Sequence, residues 1–201
     1  MITLYHCAGA RSMRPLWTLE EMGLAYELKT LPFPPRVFEK SFLSVNPLGT
    51  VPYLIDGDAR MTESSGACLY LAETYGPTPL LVAPGEPDRA DFLNWLFMSD
   101  ATLTFPQTLV LRYRQLEPPE RRLAQAADDY EKWFLGRMRA VDARLADHAY
   151  LCAGRFTLAD IAVGYALHLA HTLGLGEKLS ATANGYYERL KARPAFGRAA
   201  V

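Results

Sequence analysis

The sequence predicts two domains, a small mixed α/β domain followed by an all-α domain. In the first part of the chain, short β-rich apolar runs alternate with helical segments. Further along, apolar residues recur every three or four positions, which is the spacing of helices. Two stretches rich in proline and glycine, 76–79 and 83–87, are typical of a linker. The predicted bounds are 1–78 for the α/β domain, 79–87 for the linker and 88–201 for the helical domain.

The chain begins with a pattern that predicts a strand, a helix and a second strand. Ile2 to His6 is a short apolar run, after which the apolar period changes to that of a helix. This helix has Ser12 at its N-cap, Pro15 in its first turn and Gly23 as its stop signal. Tyr26 to Leu31 forms the second strand. Because a helix connects the two strands, we expect them to be parallel.

A hairpin and a further helix complete the predicted α/β domain. After a proline-rich loop, Val37 to Leu43 is expected to form an irregular helix. Two short apolar runs, Pro52 to Ile55 and Ala59 to Met61, flank Asp56-Gly57-Asp58, and an Asp-Gly turn between such runs indicates a hairpin. The helix that follows spans about Ser64 to Tyr75. The predicted order is therefore β-α-β-α-β-β-α.

Apolar stripes at helical spacing predict the helices of the second domain. A proline pair separates the first stripe from a long second helix. The stripes are Phe92, Trp95, Leu96 and Leu103; Tyr130, Phe134, Met138, Val141 and Leu145; Leu158, Ile161, Ala162, Tyr165 and Leu169; and Tyr186, Tyr187 and Leu190.

Composition and charge exclude several classes of partner. With 21 basic and 22 acidic side chains, the net charge of −1 creates no overall field that would attract nucleic acid or an anionic membrane. No apolar run reaches the roughly 18 residues of a spanning helix, and the N-terminal residues do not resemble a signal peptide. Cys7, Cys68 and Cys152 are widely spaced and odd in number, which fits neither a disulfide framework nor a metal site and favours a reducing cytoplasm. His168 and His171 lack a third ligand, so no metal is expected.

Two short motifs can together hold a peptide-like ligand. Valine before proline is extended, so the Val51 backbone beside Pro52 can pair with an extended peptide as an added strand does. Glu63 and Ser64 follow a strand and begin a helix, whose N-terminal N–H groups and dipole favour a carboxylate. Ser64 can donate to that carboxylate and Glu63 can accept from an ammonium group. The alternative for this pair is an ordinary helix start with a capping serine.

These motifs resemble the glutathione site of the cytosolic glutathione transferases. The resemblance rests on NPLGTVPYL, a hairpin and MTESSGACLYL, which begin at Asn46. It extends to Gly154–Leu167, which is similar to the family's buried helix with Thr157 and Asp160 as a capping box, and to Tyr186–Phe196, which resembles its C-terminal helix. It implies the glutathione transferase fold, in which a thioredoxin-like domain precedes an all-helical domain.

The resemblance also implies roles for individual residues. Val51, with Pro52 as the cis residue, pairs with the cysteinyl backbone of glutathione, and Glu63 and Ser64 hold its γ-glutamyl end. The implied activity is addition of the glutathione thiolate to an apolar electrophile, with glutathione as co-substrate and no metal. A cytoplasmic homodimer that acts in detoxification is expected, and Asp100 is a candidate to reach across the dimer.

The residue that activates the thiol is expected in the loop after the first strand. Ser12 is the first candidate, and a plain N-cap serine is the alternative; Arg11 and Tyr5 are further candidate donors. Cysteine-type relatives carry cysteine at the place of Arg11, so a mixed disulfide with glutathione is disfavoured, and Cys7 is assigned to the core. Many serine-type relatives carry serine where this chain has Gly9 or Ala10.

Three functions are therefore compatible with the same predicted glutathione-binding domain. The first is glutathione transfer to an apolar electrophile, for which the expected wall residues are Thr104, Phe105, Leu109 and Tyr113. The second is glutathione-dependent peroxide reduction or ether cleavage. The third is a glutathione-binding or regulatory protein without turnover.

Overall fold

A computed structural model describes residues 1–200 of the chain. The chain separates into two compact units. One unit contains residues 1–81 together with the segment from Lys191 onward, and the other spans Val82–Leu190. The sequence placed this C-terminal segment in the helical domain, so the observed division differs from the predicted one at that end.

The first unit is built on a four-stranded mixed sheet in the order β2-β1-β3-β4. The strands are β1 Ile2–His6, β2 Tyr26–Thr30, β3 Tyr53–Asp56 and β4 Ala59–Met61. The helices are α1 Met13–Met22, α2 Pro35–Phe38, a 3₁₀ helix Lys40–Ser44 and α3 Ser64–Thr74. Strands β1 and β2 are parallel, whereas β3 is antiparallel to both β1 and β4. The predicted crossover and hairpin are therefore confirmed.

Strand β1 lies in the interior of the sheet, and its side chains alternate between two environments. Ile2, Leu4 and His6 are buried, whereas Thr3 and Tyr5 on the other face are half-buried. Helices α1 and α3 pack against each other. Helix α1 ends as predicted at a glycine in the left-handed region, where a residue without Cβ meets little steric cost.

The C-terminal helix α9, Pro194–Ala199, packs against α1. Phe196 meets Trp17 edge to face with ring centroids 5.0 Å apart. Arg193 forms a two-pronged ion pair with Glu21 at 2.6 and 2.7 Å. These contacts explain why the segment belongs to the first unit, although in the sequence it follows a run of helices.

The second unit is helical throughout its regular structure. Its segments are α4 Arg89–Met98, a π-helix Ser99–Thr104, α5 Phe105–Leu111, a π-helix Arg112–Leu116, a 3₁₀ helix Pro119–Arg121, α6 Ala124–Leu145, α7 Leu158–Thr172, a 3₁₀ helix Gly176–Lys178 and α8, which begins at Ala181 and ends at Lys191. The predicted apolar stripes are buried except for Tyr130, which is half-buried and stacks on the exposed Trp133.

Helix α7 is the buried helix that the sequence predicted, and its capping box is present. Thr157 caps the helix, and its backbone N–H donates to Asp160 Oδ2 at 2.8 Å. The Asp160 carboxylate also accepts from the Leu151 N–H at 3.0 Å and from the Tyr186 hydroxyl at 2.7 Å. Asp160 is fully buried, so one carboxylate joins the start of α7 to a loop and to α8.

Candidate active site

The loop before β3 is held from inside by Asn46. This side chain is 2% exposed; its Oδ1 accepts from the Leu48 N–H at 3.1 Å and its Nδ2 donates to the Thr50 carbonyl at 2.9 Å. Such an Asx turn fixes the path of the backbone that follows. The next peptide bond, Val51–Pro52, is cis.

Val51 lies just outside the ladder of the sheet. Strand β3 begins at Tyr53, and its pairing with β1 starts at the same residue. Val51 is half-buried. Two residues earlier, the backbone at Gly49 lies so close to Arg36 that an added Cβ would be 2.7 Å from Arg36 Cβ. The extended segment that the sequence predicted at Val51 therefore precedes β3 and is not part of the sheet ladder.

The start of α3 carries no side-chain cap. Glu63 precedes the helix with an extended backbone, is exposed and makes no capping hydrogen bond. Ser64 is the first residue of the helix, and Glu63 occupies the cap position before it. The first-turn N–H groups of a helix have no intrahelical partner, so this end carries the positive pole of the dipole.

Ser64 is itself held by a buried cation. Its side chain is 2% exposed, and its Oγ accepts a hydrogen bond from Arg14 Nη1 at 2.9 Å. Arg14 lies in the first turn of α1 and is fully buried. Sequence reasoning missed Arg14, because a single arginine in a helix is far more often a surface residue.

The hydroxyl of Ser12 is turned into the core. Ser12 is fully buried; its Oγ lies 2.9 Å from His6 Nδ1 and accepts from the Cys7 N–H at 3.2 Å. It occupies the position before α1, as predicted, but makes no capping hydrogen bond. The end of β1 brings the buried His6 ring to this hydroxyl, and no feature of the helix-start pattern could have signalled that contact.

The other two candidate donors lie in different surroundings. Arg11 is half-buried and lies two residues before the start of α1. Tyr5 packs its ring against Phe42 and Tyr53, with centroids 5.0 and 6.1 Å away, on the sheet face opposite Leu4 and His6. Of the three candidates, Arg11 is the one with a charged side chain.

The cysteines of the described chain are buried and unoxidised. Burial raises the pKa of the Cys7 thiol to about 11, and that of Cys152 to about 12. At neutral pH these two thiols are therefore protonated and weakly reactive. The assignment of Cys7 to the core is confirmed.

Two of the predicted wall residues of the electrophile pocket, Thr104 and Phe105, differ in their exposure. Thr104 is buried and donates to the Ser99 carbonyl at 2.7 Å, so it belongs to the helix interior. Phe105 is 51% exposed and meets Tyr130 edge to face, with ring centroids 6.4 Å apart.

Within residues 1–200, no three His, Cys, Asp or Glu side chains are grouped to hold a metal ion. No helix in that range has the length and apolar character needed to cross a membrane.

Comparison with known proteins identifies the family. Residues 4–79 match the family described as "Glutathione S-transferase, N-terminal domain", and residues 120–196 match "Glutathione S-transferase, C-terminal domain". The chain is 30% identical to glutathione S-transferase GstB of Escherichia coli K12, over 97% of this chain and 95% of that protein. The chain belongs to the glutathione S-transferase family.

Solved structures show the same fold. A glutathione transferase from Methylococcus capsulatus strain Bath superposes with a TM-score of 0.84 at 27% identity, covering 100% of this chain and 97% of that one. A sphingomonad glutathione S-transferase complexed with glutathione superposes with a TM-score of 0.85 at 25% identity, covering 98% and 96% of the two chains.

Proposed function

We propose that this protein is a glutathione transferase that binds glutathione in its first unit, stabilises the thiolate and directs it onto an apolar electrophile. The observation that carries the proposal is the uncapped start of α3, where the Ser64 hydroxyl lies at the positive end of a helix. That end suits the carboxylate of a γ-glutamyl group. Family membership supports the same ligand.

Glutathione binds as an extended peptide in this proposal. Val51 pairs with the cysteinyl backbone of glutathione beside Pro52. The two hydrogen bonds of the Asn46 side chain to Leu48 and Thr50 hold the loop that precedes Val51 in place. Ser64 donates to the glutamyl carboxylate, and the exposed Glu63 accepts from the ammonium group beside it. Hydrogen bonds to charged groups contribute about 1.5–3 kcal/mol each, so these contacts account for specific binding.

Arg11 is the side chain proposed to stabilise the thiolate. A free thiol has a pKa near 8.5, and both an arginine and a helix N-terminus lower that value. Arg11 is half-buried and lies two residues before the first residue of α1. Ser12, whose hydroxyl contacts His6 inside the core, positions the loop that carries Arg11. The raised pKa of Cys7 disfavours a mechanism that forms a mixed disulfide with glutathione.

Arg11→Ala tests this assignment. The reaction is displacement of chloride from 1-chloro-2,4-dinitrobenzene by the glutathione thiolate. At saturating glutathione, we expect the pH profile of kcat/KM for this electrophile to move up by about one pH unit, because loss of the cation removes about 1.4 kcal/mol of thiolate stabilisation. Arg60→Ala is the matched control, since Arg60 is exposed on the hairpin and bonds to backbone carbonyls there. A profile that does not move in Arg11→Ala would remove Arg11 from the mechanism.

The proposal extends to the oligomeric state, the cellular location and the physiological role of the protein. We propose a cytoplasmic homodimer with a detoxifying role, in agreement with the resemblance to the family. Exposed large apolar side chains are typical of interaction surfaces, and Phe38 and Leu48 of the first unit and Phe97 of the second are such residues. Asp100 stays a prediction for a residue that reaches across the dimer. The mass measured by light scattering tests the dimer, and a single-chain mass would contradict it.

A further inference from the structure

A wide helical turn carries one of the predicted wall residues of the electrophile pocket. The segment Arg112–Leu116 continues α5 as a π-helix, and the Glu117 N–H donates to the Arg112 carbonyl, five residues earlier, at 2.9 Å. Such turns are rare and occur frequently at functional sites. Tyr113 lies in this turn and is half-buried, with Arg112 Cζ 5.4 Å from the centre of its ring. The course of the π-helix therefore sets the direction of the Tyr113 side chain.

A buried carboxylate on α6 holds this π-helix in place. Glu131 is 7% exposed, and its Oε2 lies 2.7 Å from Nη2 of Arg114, a residue of the π-helix. A second ion pair joins Glu131 to Lys178, in the 3₁₀ helix Gly176–Lys178. Burial raises the pKa of Glu131, but its bonds to Lys178 and Arg114 outweigh this effect and hold the pKa below its ordinary value. The carboxylate is therefore charged at neutral pH.

Arg114 has a second anion beside it, Asp128, but that carboxylate is exposed. Asp128 Oδ1 lies 2.7 Å from Arg114 Nη2, and 60% of the Asp128 side chain is accessible. Exposed ion pairs contribute little because solvent screens them, whereas a buried charge that loses its partner is strongly destabilising. Glu131 is therefore the anion that fixes Arg114.

We infer that Arg114 and Glu131 are positioning residues of the electrophile subsite and that they act through Tyr113. The inference rests on the proposed function, because Tyr113 is a predicted wall residue for the electrophile. Arg114 follows Tyr113 directly in the π-helix, so its ion pair with Glu131 fixes the turn that directs the tyrosine ring. A ring held in one orientation binds a second ring without an ordering cost. The subsite therefore favours electrophiles that carry an aromatic ring.

Titration calorimetry with glutathione and S-benzylglutathione measures this subsite without turnover. The two ligands share their glutathione part, so the ratio of their affinities reports the contribution of the benzyl group. For the unmodified protein, we expect S-benzylglutathione to bind about ten-fold more tightly, as for a buried aromatic contact. In Arg114→Met we expect this ratio to fall to within about three-fold, while the affinity for glutathione stays unchanged. An unchanged ratio in folded Arg114→Met would overturn the inference.

Lys178→Met is the matched control, because it removes the other ion pair of the same carboxylate. Both variants deprive Glu131 of one cation, and both are expected to unfold at a lower temperature than the unmodified protein. Lys178 lies outside the π-helix, so Lys178→Met is expected to keep the ligand ratio. An equal fall of the ratio in both variants would overturn the inference, because the ion pairs would then act only on the stability of the helical unit.

Tyr113→Ala identifies the residue through which the ion pair acts. We expect this variant to lower the ratio as much as Arg114→Met does, and the double variant to show no further loss, because both changes remove the same contact. Losses that add in the double variant would contradict a role through Tyr113. Glu131→Gln replaces Arg114→Met in these comparisons if the latter does not fold.

The unmodified protein separates this inference from the proposed function. Binding of glutathione without a preference for S-benzylglutathione would overturn the inference alone. A protein that binds neither ligand would refute the proposed function.

Discussion

Ser64→Ala is expected to weaken glutathione binding by about ten-fold to a hundred-fold, because it removes a hydrogen bond to a charged carboxylate worth about 1.5–3 kcal/mol. The same change removes the acceptor that Arg14 uses at 2.9 Å. A buried cation that loses a partner also costs stability, so we expect the free energy of unfolding to fall by about 1–3 kcal/mol.

Calorimetric titration of glutathione measures the first effect and urea unfolding measures the second. Ser44→Ala is the matched control: Ser44 is an exposed serine of the same unit, its hydroxyl donates to a carbonyl in its own turn, and we expect the variant to bind normally. Unchanged affinity in a folded Ser64→Ala protein would show that Ser64 does not hold the ligand.

Asp160→Ala is expected to cause the largest loss of stability in the second unit, about 3–5 kcal/mol. The carboxylate is fully buried and accepts from two backbone N–H groups, of Leu151 and Thr157, and from the Tyr186 hydroxyl. Alanine leaves all of these donors without their acceptor and removes the capping box of α7.

Circular dichroism during heating measures this effect. For a chain of this size, we expect the unfolding midpoint of Asp160→Ala to fall by roughly 10 °C. Asp147→Ala, at an exposed aspartate near the end of α6, serves as the control and is expected to unfold almost as the unmodified protein does. Tyr186→Phe removes one donor only, so it is expected to lose about 1 kcal/mol. A midpoint for Asp160→Ala that matches the control would contradict the role given to this carboxylate.

Local patterns predicted most of the framework. The crossover from β1 to β2, the Asp56-Gly57 turn, the end of α1 at Gly23 and the capping box at Thr157 and Asp160 each depend on residues close together in the sequence. Their physical causes are local hydrogen bonding and backbone preference, which short motifs express directly.

What could not be predicted depends on contacts between distant residues. The pattern around Ser12 marks a helix start equally well whether the hydroxyl caps the helix or turns inward, and only the approach of His6 selects the second. Arg14 is similar, since only the packing of α1 against α3 makes it a buried partner of Ser64. The C-terminal helix has no local signal that it packs against Trp17 instead of the preceding helices.

The central claim is that this protein ionises the thiol of bound glutathione. Ultraviolet absorbance of the thiolate, followed across pH in the complex of protein and glutathione, measures that ionisation directly. We expect the pKa of the bound thiol to lie at least about one unit below its free value near 8.5, because Arg11 and the N-terminus of α1 favour the thiolate. A bound thiol that still titrates near 8.5 would contradict a catalytic role, even if glutathione binds at Ser64.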